Sequence, residues 1–577
     1  MTRTANSVVL GLCSYTHDSA AALVVDDVLV GFVEEERLTG DKHTAAYPEQ
    51  AARWLLDTAG LDANGVDLVA YNFDGRRYLD ALAGTELLAR MPATRDRAQP
   101  RADSFRKVHH RFGNRMAELR DRFPRARIAP TLHHRAHGLY AFASSHYDAA
   151  AVLVVDSLGE VQTTTIGAAE RLGGADRGGR CRYTIAEDIT DPASLGYAYG
   201  AVTEHLGWRR GDEEGTIMAL AALGDPNRFR SLMCEAITLT EHGFSLDPRW
   251  FPLRVLTRGY PRVTDAFVTA TCPARAPGDD VQPVHADVAA ALQERTEQVM
   301  VHLARRASEV TGARLLCVGG GVASNCVAIG TIAETGLFDE IHVPPAPGDS
   351  GTAVGAVIAA CLDSRRPLPD GIAGQCYLGP AYPTVDLPEH PRPGMTAYRP
   401  AGAAKHLALN LAEGHIVGLF HGPLEAGPRA LGNRSILASP LRPDVVDRLN
   451  NSVKFREPFR PFAPVVLATA AANYFTLPQP APYMSIASGV TNLTRERLST
   501  VVHVNGTARV QTVAPDTNPF LAEVLTEFAA LTGHPVLINT SLNVKGQPIC
   551  GTPDMALDCL AGSGLDALML EGWWITK

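Results

Sequence analysis

Paired cysteines, long apolar runs and an excess of basic charge are all missing from this sequence of 577 residues. Its ten cysteines are scattered without a CxxC pair, so neither a cysteine zinc site nor a disulfide framework is indicated. No segment has the roughly 20 apolar residues that cross a membrane. The opening MTRTANSVVLGLCSYTHDSAAALVV fits a signal peptide poorly because polar residues interrupt it. We therefore expect a cytoplasmic protein that contacts no membrane.

The charge balance is acidic, with a formal net charge of -9. This balance argues against a broad basic surface for nucleic acid, although local arginine clusters could still bind a small anion or a nucleotide. The apolar fraction of 46% is that of an ordinary folded protein. We expect no nucleic-acid partner.

The length of the chain exceeds what one hydrophobic core usually supports, so two domains are expected. Residues 7 to 37 are patterned as three short strands, and LLCVGGGVASN at 315 to 325 is patterned as a strand, a glycine turn and a helix start. A stretch dense in proline and glycine follows near 367 to 394. The sequence predicts an α/β domain over 1–370, a linker over 371–394 and a smaller α/β domain over 395–577.

A metal site is the first candidate constellation. His133 and His137 are four residues apart, which places both imidazoles on one face of a helix. Asp156 ends an apolar strand and Asp349 lies in a glycine-bounded loop, so each could supply an oxygen ligand. A surface histidine pair and ordinary turn aspartates are the alternative interpretation. The motif is not HExxH, which disfavours a zincin-type protease, and the mixed ligand set suits Fe, Mn or Zn better than Mg.

Two further segments favour phosphate binding. Gly319, Gly320 and Gly321 precede Asn325 in a strand-to-helix turn, where backbone amides could approach a phosphate, although the same pattern also fits a simple tight turn. In the second domain, arginines and a lysine recur among glycine, proline and apolar residues, which is a pattern that suits a phosphorylated small molecule. These basic residues are Arg429, Arg434, Lys454, Arg456 and Arg460. A salt-bridge network with Glu425 and Glu457 is the alternative; Arg509 and Ser541 add a cation and a hydroxyl after strand-like runs.

Taken in order, the motifs resemble those of the NodU/CmcH family of carbamoyltransferases over nearly the whole chain. The segments that carry this resemblance are THDSAAALVVDD, EEERLTGDKH, HHRAH, VVDSLGE, SLGYAYG, EEGTIMALAALG, GGGVASN, PPAPGDSGTAVGA, EAGPRALGNRSILASP, NNSVKFREPFRPFAP, HVNGTARVQTV and HPVLINTSLNVKGQPI. Ser157, Thr216 and Leu542 depart from the usual family residues, which puts the fine geometry in doubt more than the reaction class.

The resemblance implies an N-terminal Kae1-like domain of the actin/sugar-kinase fold and a C-terminal YrdC-like domain. It implies that carbamoyl phosphate and ATP give carbamoyl-adenylate, which passes internally to the first domain. There the carbamoyl group reaches a hydroxyl of a natural product, as in antibiotic tailoring. The implied cofactors are ATP with Mg²⁺ and a divalent metal of the Fe(II) type.

The resemblance also implies roles for individual residues. His133, His137, Asp156 and Asp349 would hold the metal. Glu214, Gly320, Gly321 and Asn325 would line the adenylate pocket, and Lys454, Arg460, Arg509 and Ser541 would contact carbamoyl phosphate and nucleotide, with Arg429 and Arg434 nearby on the phosphates. His17, Lys42 and His43 match positions near the transfer site. His17 is our candidate for the residue that contacts or deprotonates the acceptor hydroxyl, because a neutral imidazole suits a general base, and a hydrogen-bonded turn histidine is its alternative.

Two other functions compete with this interpretation. A tRNA threonylcarbamoyladenosine synthase-like enzyme shares both domain types, but the acidic balance counts against it. A non-catalytic nucleotide-binding module would leave the His/Asp set and the second domain unexplained. The sequence identifies neither the acceptor hydroxyl, nor the metal, nor the oligomeric state, for which a homodimer is the default expectation.

Overall fold

The computed structural model describes residues 7–14, 17–82, 85, 90–92, 94–173, 179–256 and 259–577. The chain divides into two compact units. The first comprises 1–31, 45–48 and 52–375, and the second comprises 32–44, 49–51 and 376–577.

This division differs from the predicted domains in two places. Residues 32–44 and 49–51 belong to the second unit although they lie near the start of the chain. The boundary between the units falls after Gln375, inside the Pro/Gly-rich stretch predicted as a linker. Most of this stretch belongs to the second unit, as the contacts of Tyr377 illustrate. The Tyr377 hydroxyl donates to the Leu431 carbonyl at 2.8 Å and accepts from the Asn518 amide at 2.9 Å.

Two five-stranded sheets organise the first unit, with the strand orders β3-β2-β1-β4-β5 and β8-β7-β6-β11-β12. A separate hairpin contains β9 and β10. In chain order the strands are β1 (Val8–Cys13), β2 (Ala20–Val25), β3 (Val28–Glu34), β4 (Leu68–Tyr71), β5 (Arg127–Pro130), β6 (Ala149–Gly159), β7 (Gln162–Leu172), β8 (Arg180–Thr190), β9 (Ile237–Thr240), β10 (Gly243–Leu246), β11 (Leu315–Gly319) and β12 (Glu340–His342).

The two sheets repeat one topology. β1 is antiparallel to β2 and parallel to β4, and β6 is likewise antiparallel to β7 and parallel to β11. The outer strands β5 and β12 are parallel to their neighbours. This duplication confirms the predicted α/β class and the actin/sugar-kinase-like arrangement of the N-terminal part.

Most helices up to residue 375 connect and cover these sheets, whereas the short helix over 35–39 belongs to the second unit. In chain order they are α1 (Glu35–Thr39), α2 (Glu49–Ala59), α3 (Arg95–Arg122), α4 (His133–Ala143), α5 (Leu195–His205), α6 (Glu214–Ala221), α7 (Arg230–Ala236), α8 (Asp265–Ala270), α9 (Pro283–Thr311), α10 (Cys326–Glu334) and α11 (Thr352–Asp363). Helix α11 is almost wholly buried, which its apolar sequence TAVGAVIAACLD allows. Among the described residues, no helix has the length and apolar character needed to span a membrane.

One eight-stranded mixed sheet forms the centre of the second unit, in the order β13-β22-β21-β14-β15-β20-β16-β19, beside a two-stranded sheet of β17 and β18. The strands are β13 (Thr396–Tyr398), β14 (Val417–Phe420), β15 (Arg434–Ala438), β16 (Ala463–Leu467), β17 (Ala487–Gly489), β18 (Thr507–Arg509), β19 (Gln511–Val513), β20 (Val536–Ser541), β21 (Ala567–Leu570) and β22 (Trp573–Thr576).

Helices pack against both faces of this large sheet. One apolar cluster includes α12 and α16, and a separate one includes α13 and α17. The helices are α12 (Ala403–Glu413), α13 (Val445–Arg448), α14 (Ala471–Tyr474), α15 (Asn492–Arg497), α16 (Pro519–Thr532) and α17 (Pro553–Ala561). The second unit is therefore α/β as predicted, while its YrdC-like assignment stays a prediction.

Candidate active site

Three elements of the first unit bring the predicted metal ligands together. Helix α4 carries His133 and His137 one turn apart. Asp156 lies in β6 where the pairing register with β7 shifts, and Asp349 begins the short turn that leads into α11. Helix α11 comes close to α4 because Gly355 has no side chain: a Cβ atom there would lie 1.9 Å from the Ala136 carbonyl oxygen.

The four side chains form one compact, buried set. Their ligand atoms all lie within 4.8 Å of one another. His133 Nε2 lies 3.0 Å from His137 Nε2 and 3.4 Å from a carboxylate oxygen of both Asp156 and Asp349. His137 Nε2 lies 3.7 Å from Asp349. Thus the structure brings together all four residues that the sequence singled out.

Neighbouring groups orient these ligands. The Nδ1–H of His133 donates to the Asn72 carbonyl at 3.3 Å, which fixes the ring so that Nε2 faces the set and would be the ligand atom for a bound cation. The Gly321 amide donates to Asp156 Oδ1 at 3.0 Å. The Glu160 carboxylate accepts the His133 amide at 3.2 Å, and burial raises the pKa of Glu160 to about 7. Neither Asn72 nor Glu160 was among the predicted site residues.

The charges of the set fit a divalent cation. Burial opposes ionisation of Asp349, yet the charge of His133 holds the pKa of that carboxyl well below its usual range. A hydrogen bond from His133 likewise outweighs burial and lowers the pKa of Asp156. Two buried carboxylates beside two imidazole nitrogens 3.0 Å apart need a shared positive charge, and oxygen with imidazole donors suits Fe, Mn or Zn.

His17 is half-exposed in the first unit, and its Nδ1 lies 2.8 Å from Asp18 Oδ2. Burial lowers the pKa of His17, but the carboxylates of Asp349 and Asp18 outweigh this effect and raise the pKa to about 10. The two carboxylates therefore favour the charged imidazole as long as no cation offsets them, and the role of His17 as a base stays a prediction.

The glycine turn after β11 is shaped by contact with β6. Gly320 has a φ of +88°, and a Cβ there would lie 2.3 Å from the Val155 carbonyl oxygen. Asn325 caps α10 by accepting the Ala328 amide at 3.1 Å, and its side-chain amide pairs reciprocally with Gln293 at 2.9 and 3.1 Å. Asn325 thus has a structural role in this turn. The predicted contact with the adenylate would be an additional role.

Glu214 begins helix α6, where it accepts the Gly211 amide at 2.6 Å. Burial raises the pKa of this carboxyl, and the nearby charges of Arg210 and His17 lower it only partly. The charge of His17 therefore acts on Glu214, which indicates that the two predicted residues lie in one neighbourhood of the first unit.

In the second unit, Lys454 ends the π-helical turn Leu449–Lys454 and points at the end of β20. Its Nζ atom lies 2.6 Å from the Ser541 carbonyl, 3.1 Å from Ser541 Oγ, and 2.6 and 3.0 Å from two oxygens of Asn543. Burial, and then the charge of Arg456, lowers the pKa of Lys454 to about 7, whereas the four oxygens favour the ammonium. Asn543 was not predicted as a site residue.

Three arginines surround this lysine. Burial and the charges of Arg460 and Arg509 lower the pKa of Arg456, so these three guanidinium groups lie close together. Arg456 stacks on Phe462, with its Cζ 4.3 Å from the ring centre. The Nε of Arg509 is buried without a hydrogen-bond partner among the described residues. We call Lys454, Arg456, Arg460 and Arg509 the basic cluster of the second unit.

Arg434 does not suit its predicted role on the phosphates. Its side chain is fully buried and its Nη atoms donate to the carbonyls of Gly422 and Asn433 at 3.0 Å and of Pro380 at 3.2 Å. Its guanidinium also stacks on Phe420, 3.6 Å from the ring centre. These contacts make Arg434 part of the core, while Arg429 in the same loop is half-buried.

Lys42 and His43 belong to the second unit, whereas His17 belongs to the first. The His43 amide donates to Glu36 at 2.8 Å, and His43 has a φ of +56°. Residues of this segment contact the 421–433 loop, since Glu34 accepts the Gly427 amide at 2.8 Å. The sequence had placed these two residues in the first domain.

Two sequence profiles match the chain. The profile described as "Carbamoyltransferase N-terminus" matches residues 8–358, and that described as "Carbamoyltransferase C-terminus" matches residues 408–577. The "Uncharacterized protein sll1178" of a Synechocystis strain is 35% identical over 99% of this chain and 96% of its own length. The "Nodulation protein NolNO" of Sinorhizobium fredii is 31% identical over 98% of this chain and 79% of its own.

The duplicated sheets and the buried His/Asp set define a two-unit α/β enzyme with a candidate metal centre in its first unit. With both profiles matched, the chain belongs to the carbamoyltransferase family. Its relatives include the "Nodulation protein U" of Rhizobium tropici, which is 38% identical over 48% of this chain and 46% of its own length. The resemblance stated from the sequence is confirmed at the level of the family and the enzyme class.

Proposed function

We propose that the protein is an ATP-dependent O-carbamoyltransferase that acts on a hydroxyl of a natural product. Water first converts carbamoyl phosphate to carbamate and phosphate. The carbamate oxygen then attacks the α-phosphorus of ATP, which gives carbamoyl-adenylate and pyrophosphate. The acceptor hydroxyl finally attacks the carbamoyl carbon, its proton is removed, and AMP leaves.

The observation that carries the proposal is the buried set of His133, His137, Asp156 and Asp349 in a chain of this family. These four residues would hold a divalent cation, for which we propose Fe(II). When bound, such a cation neutralises phosphate charge and polarises a carbonyl group. The residues themselves supply a dry, pre-oriented site, because all four are buried.

We assign the activation step to the second unit, where Lys454 of the basic cluster contacts Ser541. Arginine forks bind phosphate in a bidentate manner, and the Lys454 ammonium adds a compact charge. The buried Nε of Arg509 has no hydrogen-bond partner among the described residues, which suits a donor that waits for a ligand. Arg434 is left out of this assignment because core carbonyls occupy both of its Nη atoms, the two groups that a bidentate phosphate contact needs.

We assign contact with the acceptor hydroxyl to His17. Its pKa of about 10 arises while Asp349 and Asp18 carry uncompensated charge. His17 can serve as a base near neutral pH only when the carboxylate charge beside it is offset. Its role as base therefore rests on the proposed charge compensation at the metal ligands.

The test is pyrophosphate release from purified protein given ATP with and without carbamoyl phosphate. We expect release to require carbamoyl phosphate, to be lost in Lys454→Ala and to persist in His137→Ala. Lys405→Ala and His242→Ala are matched controls, since both side chains are exposed. Absence of release from the wild type under all conditions would refute the adenylate mechanism.

A further inference from the structure

Five arginines converge in the first unit on the segment between Pro252 and Arg262. We call Arg97, Arg101, Arg210, Arg254 and Arg262 the arginine cluster. Arg97 Nη1 donates to the Pro261 carbonyl at 3.0 Å, Arg101 Nη1 to the Arg254 carbonyl at 3.1 Å, and Arg262 Nη1 to the Val255 carbonyl at 3.0 Å. None of these residues was singled out from the sequence.

Two carboxylates form ion pairs with the cluster, and each of them lies between two arginines. Asp191 makes a close ion pair with Arg101 and lies 3.7 Å from Arg254 Nε. Glu204 lies 3.5 Å from Arg210 Nε and 3.8 Å from Arg262 Nε. Even with Glu214, whose charge also acts on Arg210, the carboxylates paired with the five guanidinium groups number three among the described residues. Positive charge is therefore in excess in this partly buried region.

Several donors of the cluster lack hydrogen-bond partners. Arg254 Nη2 and Arg262 Nε are buried with no such partner in the described part of the chain, whereas Arg254 Nε, also without a hydrogen bond, faces Asp191 Oδ1 at 3.7 Å. The two residues are only 4% and 9% exposed. An unsatisfied buried guanidinium is costly, so the site suits a ligand that supplies acceptor oxygens and negative charge.

The cluster lies beside the metal ligands and reaches the surface. Arg254 stacks on Tyr197 at 4.5 Å, in the first turn of α5. Ser194, which caps that turn, donates to the Asp156 carbonyl at 3.4 Å and to the Ser157 carbonyl at 2.7 Å. At the other side, the Arg210 side chain is 38% exposed. The cluster is thus linked to Asp156 through the first turn of α5, with Arg210 at its exposed side.

We propose that the arginine cluster binds an anionic group, a carboxylate or a phosphate, of the hydroxyl acceptor. This inference rests on the proposed function, because it names the class of acceptor for the same site: a hydroxylated compound that is itself an acid or a phosphate ester. The phosphate of the adenylate has the same chemistry, so the experiment must distinguish the two sources.

Helix α5 makes room for the outer arginine of the cluster. A Cβ at Gly200 would lie 2.7 Å from Arg210 Cγ, and only 3.5 Å from Glu214 Oε1. A glycine in a helix interior costs roughly 0.5–1 kcal/mol relative to alanine. Gly200 therefore allows the aliphatic part of the Arg210 side chain to pack directly against helix α5.

The first measurement is calorimetric titration of the full chain with sulfate at constant ionic strength. Sulfate can bind at the arginine cluster and at the basic cluster of the second unit, and we expect one of these two affinities to fall at least tenfold in Arg254→Gln and in Arg210→Gln. Arg230→Gln is the matched control, since Arg230 is exposed and pairs with Glu294 away from the cluster. Should Arg254→Gln fail to fold, the exposed Arg210→Gln still gives the answer. Unchanged sulfate binding in both variants would overturn the proposal.

A second titration, in saturating AMP, separates the two sources of the anion. Sulfate binding that persists beside AMP supports an acceptor site. Displacement of sulfate by AMP would assign the arginines to the adenylate phosphate and overturn the acceptor assignment. Neither titration requires catalysis. A failure of the proposed function would be seen as absent pyrophosphate release from the wild type, and it can therefore be distinguished from a failure of the anion site.

Discussion

The pH dependence of the activation step offers a direct test of Lys454. Burial and the charge of Arg456 lower the pKa of its ammonium to about 7. If this value holds in the free enzyme, about half of the molecules carry the charge at pH 7 and about one tenth at pH 8. The second pKa of a phosphate monoester is about 6, so the substrate does not lose charge over the same range.

The magnitude of the effect follows from this fraction. We expect kcat/KM for carbamoyl phosphate, measured by pyrophosphate release, to fall about tenfold per pH unit above the pKa of Lys454, because kcat/KM reports groups of the free enzyme. The four oxygens around Nζ, at 2.6 to 3.1 Å, oppose this deprotonation. The exposed Lys405→Met variant should keep the wild-type profile. A profile that stays flat from about pH 7 to about pH 9, which is from the pKa of Lys454 to roughly two units above it, would refute the reasoning.

Three further predictions concern other parts of the chain. His137→Ala should weaken binding of a divalent cation at least tenfold by calorimetry, because one of four ligands is lost, and unchanged affinity would contradict the site. Gly320→Ala should lower Tm by well over 5 °C, since its Cβ would lie 2.3 Å from the Val155 carbonyl, whereas Gly336→Ala, with open space, should cost only about 1 kcal/mol of strain. Arg434→Met should lower the free energy of unfolding by about 3 kcal/mol, measured with urea, and a neutral result would show that its carbonyl contacts do not matter.

Much of the candidate metal centre was predictable because its signals are local. His133 and His137 share a helix face through their spacing, and Asp156 ends an apolar run that can only be a buried strand. The α/β class followed from the same periodicities. Asn72 could not be found in this way, because it contributes a backbone carbonyl to His133 and its side chain is irrelevant to that contact.

The domain boundaries were less accessible because they depend on long-range packing. Residues 32–44 follow directly on strands of the first unit, and no local pattern marks them as part of the second. Their place is fixed by contacts across almost four hundred positions, such as the bond from Arg37 Nη2 to the Gly427 carbonyl at 2.6 Å. Sequence spacing carries no information about such a pair.

Arginine density in the sequence is a poor guide to anion binding, because what matters is whether the donors already have partners. Arg434 sits in a motif rich in glycine and arginine, yet carbonyl oxygens occupy both of its Nη atoms, and only its Nε lacks a partner among the described residues. Arg254 sits in an inconspicuous loop, yet its buried Nη2 has no hydrogen-bond partner among the described residues. A ligand anion gains little at the first position, where it would have to displace existing bonds, and much at the second, where it would satisfy a buried charge. Arg254 is therefore a better candidate for ligand binding than Arg434. The reason is the number of hydrogen bonds that each pair of Nη atoms already makes, and not the composition of the surrounding sequence.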